Sequence, residues 1–479
     1  AVGAYALPEN TTGDHNTALG RNALRYNTTA DQNTAVGALA LDGTTTGGSN
    51  VAVGYYALKA NTTGTGNVAG DYNTACGYSA LELNTTGAQN TAVGYKSLEA
   101  NTTASNNTAV GHFALNANTT GTQNTAVGRD AGKSITTNSG CTMIGATAGT
   151  NNTAANNTAL GSGALYANTT GTHNTALGTG VYGSTQGALG ANTTGDHNTA
   201  VGSRSLLLNT TGSSNTAVGD RALSANTTQA NNVAIGYRSL INQTTADQNT
   251  AVGSDSLYTN TTGEYNVAMG FMALYSSTTA SYNTAVGHQA AYLSTTGTNN
   301  VAVGAAALAA NTTGSSNTAV GRRSLDANTE ASSNTAIGAE SLSAVVTGAY
   351  NTATGAQALQ KNTGSNNSAF GYRALEENTS GTKNHASGTE ALRENTTGDF
   401  NTACGYGALF NNVGANANTA TGYEALNDNT TGTQNDAFGY QTMDANTTGN
   451  YNAAFGALSA TSLNGGNRNT FCGNSAGSG

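Results

Sequence analysis

Cysteine, histidine and tyrosine are the residues of this chain whose types could do chemistry. The four cysteines are Cys76, Cys141, Cys404 and Cys472. Three share one phase of a 17-residue period, and the closest pair is about four repeats apart. At a strand spacing of ~4.8 Å that is roughly 19 Å, against the ~7 Å between Cα atoms that a disulfide tolerates. The spacing predicts no intrachain disulfide and no metal site. It suits cysteines that serve as small buried hydrophobes.

The six histidines are His15, His112, His173, His197, His288 and His385. His15 and His197 share the phrase Gly-Asp-His-Asn, which suggests a metal ligand. They lie many repeats apart with no second ligand recurring nearby, so solvated corner residues are expected. Asp14, Asp71, Asp196 and Asp399 share a turn position but do not stand in adjacent repeats. The calcium-binding Gly-Gly-x-Gly-x-Asp repeat is absent. No Ser-His-Asp arrangement or paired carboxylate recurs, so neither an enzyme nor a cofactor is expected.

Tyrosine is the most suggestive surface feature. Tyr55, Tyr78 and Tyr95 occupy one phase of three successive repeats, and Tyr406, Tyr423 and Tyr440 do so further on. Aromatic columns can stack against sugar rings, which makes these six the candidates for glycan contact. Tyrosine also suits any half-exposed strand surface or a subunit interface. Asn-Thr-Thr is a formal N-glycosylation sequon, as at Asn10, Asn27 and Asn61. An asparagine turned inward at this phase is closed to modification.

Composition excludes several classes. Of 479 residues only 16 are Lys or Arg, and the net charge is −9. That tells against a nucleic-acid partner, which needs clustered basic residues. No apolar run approaches the roughly 20 residues of a membrane span. No secretory signal is visible. The chain starts in mid-repeat without Met and reads as a window on something longer.

These residues are positioned by a period. Asn33-Thr34-Ala35-Val36-Gly37 recurs as Asn90-Thr91-Ala92-Val93-Gly94 and Asn317-Thr318-Ala319-Val320-Gly321. The consensus is Asn-Thr-Ala-Val-Gly-x-x-Ala-Leu-x-x-Asn-Thr-Thr-Gly-x-x, numbered here as positions 1 to 17. It repeats in 28 copies from Gly3 to Gly473 at position 5. Two steps are long, with insertions near 67–72 and 181–187, and two are 16 residues. The phase resumes at once, which predicts one continuous rod over residues 1–479.

A 17-residue unit is too short for two packed helices, and Asn, Thr and Gly are poor helix formers. Thr-Ala-Val reads as a short strand, with Thr and Val on one face and Ala on the other. Glycines at positions 5 and 15 mark corners, and Asn at positions 1 and 12 tolerates the same left-handed backbone. The expected fold is all-β: a parallel β-solenoid, or β-roll, of about 28 coils by that count. Stacked Asn side chains form ladders. Val at position 4 and Leu at position 9 form a thin core. After about residue 340 position 4 turns to Thr354, Phe370, Ser387, Cys404, Thr421, Phe438, Phe455 and Cys472, which predicts a changed cross-section. Position 3 is Ala except at Met143 and Phe471, and in both coils position 9 is Gly, at Gly149 and Gly477. This predicts contact with volume compensation. The strictness of Ala implies close approach to the opposite wall or to a neighbouring subunit.

The phrase Asn418-Thr419-Ala420-Thr421-Gly422-Tyr423-Glu424-Ala425-Leu426 and its equivalents resemble the YadA-like head repeats of trimeric autotransporter adhesins. They resemble still more closely the arrays of tail-fibre-like proteins. The likeness covers the whole chain, although the repeat is longer than the usual head repeat. It implies a left-handed roll, a homotrimer with three rolls side by side, and an extracellular, cell-surface or virion-surface fibre. The expected function is the structural rod of such a filament, a spacer and binding surface for a host glycan or protein. The alternative is an ice- or glycan-binding solenoid. Ice-binding surfaces present two outward Thr per strand, whereas the Thr-Thr of Asn-Thr-Thr-Gly, as at Thr62 and Thr63, is adjacent in the chain, so one of the two is expected to face inward. Solenoid enzymes carry long loops for which this chain has no counterpart.

Overall fold

The computed structural model describes residues 1–62, 71–180 and 186–478. The insertions expected near 67–72 and 181–187 lie largely outside the described residues. Within the described residues there is no helix; each repeat after the first contributes one three-residue strand, from Thr17–Leu19 to Thr470–Cys472, and the first contributes a single bridge, Val2↔Leu19. The coils group into two compact units, Ala1–Thr245 and Ala246–Gly479. In the first, strands β1 (Thr17–Leu19) to β13 (Val233–Ile235) follow one another. In the second, β14 (Thr250–Val252) to β27 (Thr470–Cys472) do so. Within each unit successive strands pair parallel and in register, as Thr17↔Thr34, Ala18↔Ala35, Leu19↔Val36 and Thr318↔Thr335, Ala319↔Ala336, Val320↔Ile337 show. This is the all-β parallel solenoid that the 17-residue period predicts.

Parallel pairing turns backbone N–H and C=O groups along the stack, so each coil must satisfy its neighbours. The N–H of Thr34 donates to the Asn50 carbonyl of the next coil (2.8 Å), Gly37 donates back to Leu19 (2.7 Å), and Leu41 donates forward to Ala57 (3.1 Å). The position-1 N–H lacks a backbone acceptor, and the asparagine amide supplies one. Asn384 Oδ1 accepts from the Asn401 N–H at 2.9 Å, and Asn401 Oδ1 accepts from the Asn418 N–H at 3.0 Å. The same Asn401 donates Nδ2 to the Ala415 carbonyl at 2.8 Å, closing its own coil. At position 12 the ladder is amide to amide: Asn395 donates to Asn378 Oδ1 at 2.7 Å and accepts from Asn412 at 2.8 Å. Both asparagine columns are buried, as the inward-ladder expectation requires. The position-12 asparagines of the sequons, Asn27 and Asn61 among them, are therefore shielded from solvent.

Where position 12 is apolar the ladder stops. Ile135, Val345 and Leu463 interrupt it, and the preceding Asn118, Asn328 and Asn446 leave Oδ1 buried without a hydrogen-bond partner. Position 16 follows a rule not seen in the sequence: its side-chain oxygen accepts the N–H of position 16 in the coil before. Ser105 Oγ does so for Ala88 (3.0 Å), Ser315 Oγ for Thr298 (3.1 Å) and Asp399 Oδ1 for Thr382 (2.6 Å). The short polar residues common there are acceptors that extend the ladder logic to a corner.

The core differs from expectation at position 4. Strand burial alternates outward–buried–outward, with Ala at position 3 fully covered and Thr and Val on the outer face. The inward set is asparagine at positions 1 and 12, alanine at position 3, alanine or serine at position 8, leucine at position 9 and the small residue at position 15. Coils this narrow leave no depth for Val inside, so the strictness of Ala reflects the opposite wall of its own coil. The change after about residue 340, from Thr354 and Phe370 to Phe455, is consequently a change of surface and not of core. The three cysteines at this position, Cys76, Cys404 and Cys472, are exposed; only Cys141, at position 1, is buried, and all four are free.

Corner geometry also differs. Glycine at position 5 has φ near +135°, as in Gly37 and Gly321 (+136°), and an added Cβ at Gly321 would lie 2.5 Å from the Gly338 carbonyl oxygen. At position 15 no positive φ is needed; there a Cβ at Gly398 would lie 2.3 Å from the Ala415 oxygen and 2.4 Å from Asn395 Oδ1. The left-handed residues are not Asn at positions 1 and 12 but those at 7, 9 and 17, such as Arg323 (φ 54°), Leu325 (φ 51°) and Ser333 (φ 61°). The two threonines of Asn-Thr-Thr-Gly both point outward, Thr312 half-buried and Thr313 exposed, because a bend and not a strand carries them. Thr62 is likewise exposed, and Thr63 lies outside the described residues.

The compensation between positions 3 and 9 is direct contact. An added Cβ at Gly149 would meet Met143 Sδ at 2.3 Å, and one at Gly477 would meet Phe471 Cε1 at 2.3 Å. We therefore expect Gly149→Leu to destabilise the fold by about 1–3 kcal/mol through overpacking and Met143→Ala by about 2–5 kcal/mol through a cavity. The double variant restores the consensus pair, so chemical denaturation should show it closer to wild type than either single change. For the ladder, Asn395→Ala leaves Asn378 and Asn412 short of a partner and should cost about 1–3 kcal/mol. Thr397→Ala, on the exposed side of the same coil, should stay within about 0.5 kcal/mol. Equal midpoints for these two variants would refute the ladder's role.

Candidate functional surfaces

The outward positions are 2, 4, 6, 7, 10, 11, 13, 14, 16 and 17, and any site must be built from columns of these. At position 6 the predicted tyrosines come together in two stacks. Tyr55 and Tyr78 have ring centroids 5.5 Å apart at 28°, and Tyr78 and Tyr95 are 5.3 Å apart at 15°. His112 continues the row at 5.1 Å from Tyr95. In the other unit Tyr406, Tyr423 and Tyr440 stack at 5.3 Å with interplanar angles of 12° and 11°. Parallel strand register imposes this spacing, so each inner ring has a neighbour on both faces. What the columns present outward is largely ring edge and phenol hydroxyl, not the open face on which a sugar stacks.

Polar groups flank both stacks. Lys96 Nζ pairs with Glu99 at 2.7 Å, and Glu99 accepts from Asn116 Nδ2 at 3.0 Å. Beside Tyr423, Glu424 accepts from Gln441 Nε2 at 2.8 Å. The Tyr423 hydroxyl is held above its usual range, chiefly by its hydrogen bond to that carboxylate. The 17-residue spacing produces further stacks. Tyr258, Tyr275 and Tyr292 stack at position 10, with centroids 5.0 and 5.3 Å apart. Tyr265 and Tyr282 stack at position 17 (5.0 Å), and Phe438 and Phe455 at position 4 (5.2 Å).

The histidines are all exposed; His15 and His197 stand at a corner as expected, whereas His385 opens a strand, His385–Ser387. The reading that His197 has no histidine nearby is corrected: His173 lies directly below it, with centroids 5.0 Å apart and rings at 15°. A 24-residue step separates the two in sequence, which hid their common position 17. Among the described residues no three or more His, Cys, Asp or Glu converge as a metal site.

Two buried ionisable groups are pushed off their usual range. Burial raises the Asp71 carboxyl, against the opposing effect of amide donors from Asn61 (3.0 Å) and Asn50 (3.4 Å). Burial likewise raises the Cys141 thiol, which keeps it protonated and unreactive. A cavity of about 360 Å³ is lined by Arg323, Asp326, Glu340, Ser343 and Gln360. Of its charges Glu340 is paired, with Arg322 beside the cavity at 2.5 Å. No helix among the described residues is long and apolar enough to cross a membrane.

No protein-family model matches the sequence, and no curated protein matches it. The fold itself defines a class, the parallel β-solenoid repeat proteins, and its outward columns are the surface it offers to partners.

Proposed function

We propose that this chain is the structural rod of an extracellular fibre, adhesin-like or tail-fibre-like, in which three copies pack side by side. The observation that carries this reading is the outward column at position 4. It leaves Leu19 48%, Leu160 42%, Met269 44%, Ile337 42% and Phe455 44% exposed, a recurring apolar row of the kind that marks association surfaces. A second copy has the same rise per coil, so apolar residues can match row for row. The inward Ala column, expected to argue for trimers, does not contribute. The resemblance to YadA-like heads and tail-fibre arrays supports the same reading, and a cell or virion surface is where such a rod acts. Host glycan or protein contact falls to the tyrosine rows, through ring edges and hydroxyls.

Sedimentation should give a mass three times the 47.6 kDa of one chain. Val286→Glu combined with Val320→Glu places charge on the outer face only and should yield folded single chains. Cys76 and Cys404 should be shielded from a thiol reagent in the assembled form and labelled in that variant. Cys141 should stay unlabelled in both. A monomeric mass throughout a dilution series overturns the proposal.

A second reading rests on the corner threonines. Thr262, Thr279, Thr296 and Thr313 form an exposed row at position 14, with the position-13 hydroxyls beside them, so chain adjacency is no objection to an ice-ordering surface. The position-13 hydroxyls are partly committed, as Thr312 Oγ1 donates to the Thr329 carbonyl at 3.0 Å. Thermal hysteresis of the purified chain is the check, and its absence removes this reading.

A further inference from the structure

We infer that His173 and His197 form a two-imidazole site for a borderline divalent cation of the Cu(II), Ni(II) or Zn(II) class. Both occupy position 17, at φ 57°, on the outer side of a corner whose backbone is tied along the stack. The His197 N–H donates to the Thr172 carbonyl at 3.0 Å, and Asp196 Oδ1 accepts from the Thr172 N–H at 2.6 Å and its hydroxyl at 3.1 Å. The two Cα atoms are therefore fixed relative to one another. The imidazoles are exposed and lie parallel with centroids 5.0 Å apart.

A cation holding one nitrogen of each ring at about 2.0–2.1 Å spans roughly 3–4 Å between them. Parallel rings aim their in-plane lone pairs side by side, so both imidazoles must turn about their side-chain torsions until the two lone pairs meet at the ion, a rotation that exposed side chains on one corner can make. Imidazole suits Zn, Cu and Ni, whereas Mg²⁺ and Ca²⁺ take oxygen ligands. The Asn156 Nδ2 lies 3.4 Å from His173 Nε2, a long contact that a cation bound at that nitrogen replaces. Asp196 is adjacent and the chain carries net charge −9, both favourable to a cation. With two protein nitrogens, the remaining positions on the ion stay open to water or to an exchangeable ligand.

No other two histidines stack among the described residues. His112 meets Tyr95 and Phe113, His288 meets Phe271 and His385 meets Phe370. The site is thus a local product of the register, in which a 24-residue step lands on the same phase.

The test is titration of the intact chain with Cu(II) or Ni(II) alone, followed by equilibrium dialysis and, for copper, by its electron paramagnetic resonance spectrum. One ion per chain should bind ahead of any others, with a two-nitrogen copper signature. His173→Gln or His197→Gln should each weaken it by about tenfold or more, because the second imidazole otherwise binds at the high effective concentration that a shared scaffold sets. Glutamine already occupies position 17 at φ 59–60° in Gln32, Gln89 and Gln123, so neither variant should disturb the fold. His15→Gln and addition of Mg²⁺ are the controls and should change nothing. Equal affinity in wild type and both variants, or loss on His15→Gln, overturns the inference. The outcome is independent of the fibre proposal, since an isolated chain carries both histidines.

Discussion

Everything in this fold depends on meeting backbone hydrogen-bond groups along the stack. A solenoid coil has no second strand in its own turn with which to pair, so its N–H and C=O groups can be met only by the coils above and below. Most positions manage this with backbone alone. Position 1 cannot, and the asparagine side chain completes the set by accepting the next coil's N–H while donating to a carbonyl across its own coil. An unmet amide in this dry interior costs about 1–3 kcal/mol, and the cost recurs with every coil. That recurrence explains why the asparagines at position 1 are so nearly invariant within one chain.

The same constraint fixes the size of the interior. Side chains bonded across the coil hold its walls close, so position 3 takes alanine and position 8 alanine or another small residue, with leucine at position 9 between them. Leucine at position 9 accepts a left-handed backbone, as Leu325 does at φ 51°, at about 1–2 kcal/mol per residue. The Leu325 N–H gains the Ser341 carbonyl at 3.0 Å in return, and its side chain fills the core. The exceptions obey the same volume rule: Met143 and Phe471 enter only where position 9 has become glycine.

With the interior saturated, variation is confined to outward columns, and parallel register converts any recurrence there into a physical row. Tyrosines at equal phase become stacks near 5.3 Å, and two histidines become neighbours. Such rows can be placed without disturbing the fold, because the inward columns do not change with them. The register also limits them: rows spaced at strand distance cover one another's faces, so the tyrosines offer edges more readily than platforms.

The sequence by itself determined the class of fold, the phase of every coil, the buried asparagine ladders, the leucine column at position 9 and the compensation at Met143 and Phe471. Each is a local or strictly periodic property, visible in spacing alone. It also placed the six tyrosines in two rows. Only the tertiary structure decided which face of Thr-Ala-Val turns inward, since strand alternation is equally satisfied either way and only the width of the coil makes Ala the inner residue. That one decision moved Val at position 4 and three cysteines from core to surface. Tertiary structure alone also placed the left-handed backbone at positions 7, 9 and 17, and brought His173 to His197, because contact follows coil register and not distance along the chain.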